Sequence, residues 1–407
     1  MTLELLDKAF RLLNNKAACP YCYERVSLRG LWYRCTGRPA PGKAPCKKIV
    51  DQARVNVLSD HEAQYPSFQP ETPRGLLSSS PFCPHCQGPS GFRVCPNCHS
   101  SLPAEFSANS PLIGIVGARG SGKTVLLTVL GRELKALARR FGDASIAASG
   151  STKLLTRLAR ERDEMESCSS LPAQTPRKTA EETVPAVYAL RLTKPIVASF
   201  TRQVASTFSF YDTAGEDLTT ADCAQDQHYL AAADGLILLL DPFGFPANKD
   251  NALKRGVALA SLRDDPLAVL RALTESLQGA EHLKGAQKIR KPVAVVLAKI
   301  DAFFDEVDPN NPIRSPSSNE PLFDEKESLD LHEHVASLID KWGGDDVLRL
   351  LASNYKTYRF FVASALGAEP DYRKARVSNH GVHPHRVAEP LLWHLARRGL
   401  VKTKTKP

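Results

Sequence analysis

Short apolar runs recur along this chain, separated by stretches in which leucine returns every third or fourth residue. Pro111–Val116, Gly235–Leu240, Pro292–Leu297 and Arg359–Ala363 are the apolar runs, each short enough for a buried strand. Val187–Leu192 alternates apolar with polar residues as an edge strand does, and Ser206–Tyr211 reads as a further strand. Helical spacing marks Val125–Phe141, a segment around Leu154, Leu155 and Leu158, and a final helix over His385–Arg398. Strands alternating with helices predict an α/β fold, a doubly wound, mostly parallel sheet with its site at the strands' C-terminal ends. Residues 303–327 break the pattern and read as a partly flexible surface insertion, and Tyr65–Pro81, rich in Pro and Ser, reads as a linker.

The first strand and the first helix are joined by Gly117, Ala118, Arg119, Gly120, Ser121, Gly122, Lys123 and Thr124. This stretch fits the phosphate-loop (Walker A) pattern G-x-x-x-x-G-K-[ST] at every fixed position. Chance would produce such a match in a chain this long roughly once or twice in a hundred. The chemistry needs this arrangement: glycines let backbone N–H groups close on phosphate oxygens, and the helix N-terminus adds a favourable field. Lys123 supplies a point charge, and Thr124 offers its hydroxyl to Mg²⁺.

A second motif, Asp212-Thr213-Ala214-Gly215, follows the strand Ser206–Tyr211. An acidic residue there can hold Mg²⁺, and the glycine can present its N–H to a γ-phosphate, so that the loop senses that phosphate. The strand Pro292–Leu297 ends in Ala298-Lys299-Ile300-Asp301, and the last strand leads into Ser364-Ala365-Leu366.

Eight of ten cysteines precede residue 100. Cys19 and Cys22 form a C-x-x-C pair followed by Cys35 and Cys46, and Cys83/Cys86 and Cys95/Cys98 form two C-P-x-C pairs. Two intervening residues allow a tight turn to aim both sulfurs at one tetrahedral ion. The spacing predicts two structural zinc ions, one held by Cys19, Cys22, Cys35 and Cys46 and one by Cys83, Cys86, Cys95 and Cys98. Closed four-cysteine sites leave no position for water, so their expected role is folding and recognition. Cys168 and Cys223 read as incidental thiols. The expected domains are an N-terminal helix and first zinc module (1–60), a linker (61–81), a second zinc ribbon (82–104), a nucleotide domain (105–400) and a basic tail (401–407).

Net charge is +9, falling to about +5 if eight thiolates hold two zinc ions, and the basic residues are dispersed. Charge therefore does not select nucleic acid as the partner. The longest apolar run is far too short to span a bilayer. The first fifteen residues carry acidic groups and read as a short amphipathic helix rather than a secretory signal, so the expected compartment is the cytoplasm, with no membrane partner.

The order GARGSGKT, DTAG, AKID, SAL resembles the small GTPase lineage of P-loop proteins over roughly residues 110–400. More narrowly, the chain resembles bacterial double-GTPase proteins of GTPase-associated conflict systems, which carry N-terminal zinc ribbons. The resemblance implies GTP and Mg²⁺ as cofactors, with Lys123 and Thr124 on phosphate and metal, and Asp212 and Gly215 as the γ-phosphate switch. Asp301 would accept the N1 and N2 hydrogens of guanine while the Lys299 stem packs along the ring; Ser364 and Ala365 would supply a backbone contact to the base. Three positions depart from the family. Ala298 stands where Asn or Thr is usual, Glu216 where a water-orienting Gln is common, and Arg119 where a small residue is common near the γ-phosphate. Arg119 is placed either to crowd the attacking water or to act as an internal cation.

The expected function is a GTP-hydrolysing switch, slow in turnover, with zinc ribbons that dock a protein partner. Two alternatives stand beside it: a P-loop ATPase working with nucleic acid through its zinc ribbons, and a nucleotide-gated adaptor without turnover.

Overall fold

The structure, a computed structural model, describes residues 16–71, 80–118, 120–141, 144–149, 153–168, 170–172, 186–197, 200–210, 224–262 and 265–404. Two compact units divide the chain. One comprises residues 1–112, 147–153 and 178–209, the other residues 113–146, 154–177 and 210–407.

The second unit is built on a four-stranded parallel sheet: β1 (Ile113–Gly117), β2 (Gly235–Leu240), β3 (Val293–Leu297) and β4 (Tyr358–Val362), in the order β4-β3-β2-β1. Every residue of β1, β2 and β3 is buried, which is why these strands appear in sequence as continuous apolar runs. Register is even: Leu236 faces Gly114 on one side and Val293 on the other. Helix Lys123–Arg140 packs against β1, helix Glu325–Lys341 against β4, and helix Glu389–Arg397 against β2 and β3. The predicted helix Val125–Phe141 thus starts two residues earlier, at Lys123, and the helix expected at His385 starts at Glu389.

Residues 303–327 are more ordered than their Pro- and Asn-rich composition suggests. Phe303, Ile313 and Phe323 are buried there, and Phe323–Asp324 pairs in parallel with Thr403–Lys404. Lys404 also bridges Glu320 and Asp324, so the basic tail is tied down as far as Lys404.

In the first unit, the strand Trp32–Arg34 lies between Ser67–Phe68 and Arg93–Val94, antiparallel to both. The beginning of the expected linker is therefore strand, with Phe68 buried. This unit also holds most of two long strands, Ala186–Val197 and Phe200–Phe210, neighbours in a three-stranded sheet. Leu112 bridges Ser209 in parallel, and Glu105 accepts from the Arg191 guanidinium.

Candidate functional site

The antiparallel register corrects the expected sorting of the cysteines. Trp32 pairs with Val94 and Tyr33 with Arg93, so residues before position 32 meet residues after 94, and residues after 34 meet residues before 93. The sulfurs consequently gather as Cys19, Cys22, Cys95 and Cys98 in one cluster and Cys35, Cys46, Cys83 and Cys86 in the other. The sites are nested, not sequential. All eight predicted ligands are used, but each cluster draws on both halves of the cysteine-rich segment.

Three of the four cysteine pairs share one backbone turn. The N–H of Tyr23, Gln87 and His99 donates to the carbonyl of Cys19, Cys83 and Cys95, at 2.9, 2.8 and 3.0 Å. Each of those three donors has positive φ, and the first cysteine in turn donates to the carbonyl five residues on. Such a turn holds both sulfurs on one side of the backbone. Sulfur–sulfur distances of 3.8 Å (Cys19–Cys98), 3.7 Å (Cys22–Cys95), 3.5 Å (Cys35–Cys86) and 3.8 Å (Cys46–Cys83) follow. Four sulfurs set tetrahedrally about 2.3 Å from one ion stand about 3.8 Å apart, so both clusters fit zinc. Burial pushes the Cys19 thiol well above its ordinary range, a cost that a divalent cation would remove by stabilising thiolates. His99 is engaged elsewhere: its Nδ1 lies 2.9 Å from both Asp51 carboxylate oxygens.

In the other unit, β1 ends in the phosphate loop. Gly120 and Gly122 sit at φ +75° and +93°, a region side chains avoid. At Gly117 the chain comes too close for any side chain, since a Cβ would stand 2.7 Å from the carbonyl oxygen of Leu239 and 2.7 Å from Ser121 Oγ. The helix begins at Lys123, leaving its first N–H groups directed at the loop. Lys123 Nζ donates to the carbonyls of Gly117 (2.6 Å) and Ala118 (3.1 Å), which holds the ammonium at the loop. Ser121 Oγ is buried without a hydrogen-bond partner among the described residues. A cradle of backbone donors, a buried cation and an unsatisfied hydroxyl fit a phosphate chain. Thr124 follows as the second residue of the helix.

The ends of β2, β3 and β4 bring the AKID and SAL residues to the same unit. Lys299 adopts the left-handed conformation (φ 52°), and its Cε lies 4.0 Å from the point where a Cβ on Gly122 would stand. Its ammonium reaches Asp241 Oδ2 at 2.6 Å and lies 5.8 Å from the centre of the Phe243 ring. Asp241 is buried at the end of β2, where its other oxygen accepts from the Phe243 N–H at 3.1 Å. Asp301 lies beside the Ser364 hydroxyl. Burial raises its pKa, the Glu369 charge adds to the rise, and the Ser364 hydroxyl and Lys299 oppose it. Ser364 Oγ also accepts from the N–H of Leu366 (3.2 Å) and Gly367 (2.7 Å), which fixes the loop carrying Ala365. Ala298 is buried and donates its N–H to Leu240 O at 3.0 Å.

The structure thus brings Gly117, Ala118, Gly120, Ser121, Gly122, Lys123, Thr124, Lys299, Asp301, Ser364 and Ala365 into one unit. Arg119, Asp212, Gly215 and Glu216 lie outside the described residues, as does Cys223. Sequence reasoning missed Asp241, Arg255, Glu369 and Tyr372. The only signal was Asp241's position at the end of an apolar strand.

Comparison with known proteins adds three findings. The chain is 26% identical over 327 residues, 74% of its length and 78% of the relative's, to SaeC of Mycolicibacterium smegmatis, provisionally described as an ESX-1 scaffolding and assembly protein. Among solved structures, it aligns with a chain of the signal recognition particle receptor SRb-GTP/SRX complex from Chaetomium thermophilum. That alignment has 15% identity and a TM-score of 0.27 and covers 66% of this chain and 96% of that one, a likeness too slight to argue from. Residues 111–343, from the first strand of the sheet through the phosphate loop and the AKID turn, match Double-GTPase 2, and the chain belongs to that family.

Proposed function

We propose that this protein is a Mg²⁺-dependent GTP-binding switch that hydrolyses GTP slowly and docks a protein partner through its zinc body. The observation that carries the reading is the coupling of base and phosphate elements. The Lys299 stem runs over Gly122 of the phosphate loop, while Asp301, two residues on, lies beside the Ser364 hydroxyl. A fixed carboxylate accepts two hydrogens that guanine presents and adenine does not. Double-GTPase membership supports GTP and Mg²⁺ as the cofactors. Within the nucleotide domain (105–400), Lys123 and Thr124 are assigned to phosphate and metal. Asp212 and Gly215 are assigned to the γ-phosphate switch, with Ala365 N–H facing the base. Slow turnover is expected from Glu216 following the DTAG motif and from Arg119 within the loop.

A protein partner is favoured over nucleic acid for the zinc body. Trp32, Tyr33 and Arg34 are the residues that could have stacked on a base. Tyr33 is buried, Trp32 lies against the His99 ring at 4.8 Å, and the Arg34 guanidinium is spent on Gln64, Ser101 and the His99 carbonyl. The description of the M. smegmatis relative as a scaffolding and assembly protein points the same way. An adaptor that binds nucleotide without turnover is the second reading, and single-turnover hydrolysis separates it from the first.

The deciding experiment is a titration of GTP and ATP, with Mg²⁺, on the wild type and Asp301→Ala. Tighter GTP binding that the variant loses supports the assignment. Equal or ATP-favoured binding overturns it.

A further inference from the structure

Asp301 does not stand alone at the end of β3. Arg255 Nη1 donates both to the carbonyl of Ala302, the next residue, at 2.6 Å and to Glu369 Oε2 at 2.8 Å. One guanidinium nitrogen therefore ties the Glu369 carboxylate to the backbone beside Asp301. Arg255 is itself fixed, its Nε donating to Asn251 Oδ1 at 3.2 Å and its guanidinium lying 5.7 Å from the centre of the Phe303 ring. The other oxygen, Glu369 Oε1, is buried and has no hydrogen-bond partner among the described residues. Neither has Tyr372 OH, whose ring meets Phe243 edge-on at 5.7 Å, and Phe243 is the ring beneath the Lys299 ammonium.

A buried carboxylate oxygen without a donor is costly, the more so when it is charged. Such a cost is ordinarily offset where a ligand supplies the missing donor. Guanine presents three hydrogens on its N1 and N2 edge, and Asp301, as read above, takes one from each nitrogen. One hydrogen of the exocyclic amine remains, and an acceptor held beside Asp301 remains unused.

We propose that Glu369 Oε1 is a second acceptor for the exocyclic amino group of guanine, with Arg255 as its positioning residue. The inference rests on Asp301 reading the base, and it adds a discrimination that one carboxylate provides only weakly: guanine against hypoxanthine, which lacks that amine. Arg255 offsets the Glu369 charge, so two carboxylates can share the edge without one of them being forced to hold a proton.

The test compares GDP, IDP and XDP binding to the full-length protein by calorimetry in Mg²⁺, which avoids any dependence on turnover. The variants are Glu369→Ala, Glu369→Gln, which keeps the shape, and Asp301→Asn. The wild type is expected to bind GDP over IDP. Glu369→Ala should weaken GDP about tenfold, the scale of one hydrogen bond to a charged group, and leave IDP unchanged. Glu369→Gln should shift the GDP/IDP ratio the same way by less. Equal weakening of GDP and IDP, or an unchanged ratio in both variants, overturns the proposal. Asp301→Asn separates the two levels, since an amide should favour xanthine, whose O2 replaces the amine. If it reverses the GDP/XDP ranking while the Glu369 variants leave GDP/IDP untouched, Glu369 alone is eliminated. If it does not reverse the ranking, base reading by Asp301 falls and the Glu369 assignment falls with it.

Discussion

The ammonium of Lys299 and the carboxylate of Asp241 stand 2.6 Å apart, at the ends of neighbouring parallel strands. In the small GTPase lineage that the chain resembles, Asn or Thr is usual where Ala298 stands. Ala298 has no hydrogen-bonding side chain, and the Lys299–Asp241 pair fastens the AKID turn to the end of β2. Asp241 is 5% exposed and Lys299 20%, so solvent screens the pair only in part.

Asp241→Asn should therefore act on nucleotide binding more than on folding. The amide keeps the cap on Phe243 but releases the Lys299 stem, and GDP affinity should fall about tenfold. Thermal unfolding of the nucleotide-free protein should move less than the affinity does, because Lys299, 20% exposed, keeps contact with solvent once its partner's charge is gone. Calorimetric titration of GDP beside a melting curve checks both. An affinity equal to the wild type's would show that Lys299 is positioned by something else.

The nested cysteine clusters make a stoichiometric prediction. The double variant Cys46→Ser/Cys83→Ser damages one site, and elemental analysis should find one zinc per chain. Cys22→Ser/Cys46→Ser damages both and should leave none tightly held. The sequential arrangement demands the reverse for these two variants. The inner site closes a shorter loop and brings the outer pairs together, so losing it should also weaken the outer site, by about 0.6 kcal/mol for each doubling of the loop still to be closed.

What the sequence conveys here depends on how local the physics is. Gly235–Leu240 is found residue for residue, since a strand buried on both faces is written as an unbroken apolar run. The phosphate loop is equally legible, because its motif lies within eight residues and Gly120 and Gly122 answer to their own φ values. Cysteine spacing tells which sulfurs share a turn. It does not tell which turns share an ion, because that depends on Trp32 pairing with Val94, a long-range register. Phe303, Ile313 and Phe323 sit in a polar stretch whose few apolar residues follow no period, so their burial left no pattern to read. Glu369 and Arg255 are joined by one hydrogen bond across a long stretch of chain, and no motif announces it.

Gly367 supports the Ser364 loop at a position where only glycine fits. Its φ is +79°, and a Cβ there would stand 1.9 Å from the His383 carbonyl oxygen. Gly367→Ala should cost about 1–3 kcal/mol of stability through backbone strain. It should also pull the Gly367 N–H from Ser364 Oγ, the hydroxyl oxygen beside Asp301. Selectivity for GTP over ATP should fall even in the folded fraction, measured by competition binding below the melting temperature. Unchanged selectivity would detach Gly367 from the base site.

His394 gives the fold a dependence on acid. It is fully buried in helix Glu389–Arg397, its Nε2 3.0 Å from the carbonyl of Leu236 in β2, and a Cβ on Gly235 would strike its ring at 2.6 Å. Burial holds its pKa down to about 3, against 6.5 for an exposed histidine. Above pH 6.5 the ring is neutral in both the folded and the unfolded chain, and the pair with Leu236 contributes fully. Between pH 6.5 and about 3 only the unfolded chain takes up the proton, so stability falls with falling pH, by up to about 1.4 kcal/mol per pH unit from this group. His394→Gln removes the titration while keeping a donor for Leu236. Its denaturant midpoint should be lower than the wild type's at pH 7.5, and the gap should narrow or reverse by pH 5. Parallel midpoints across that range would mean that the acid sensitivity lies in other groups.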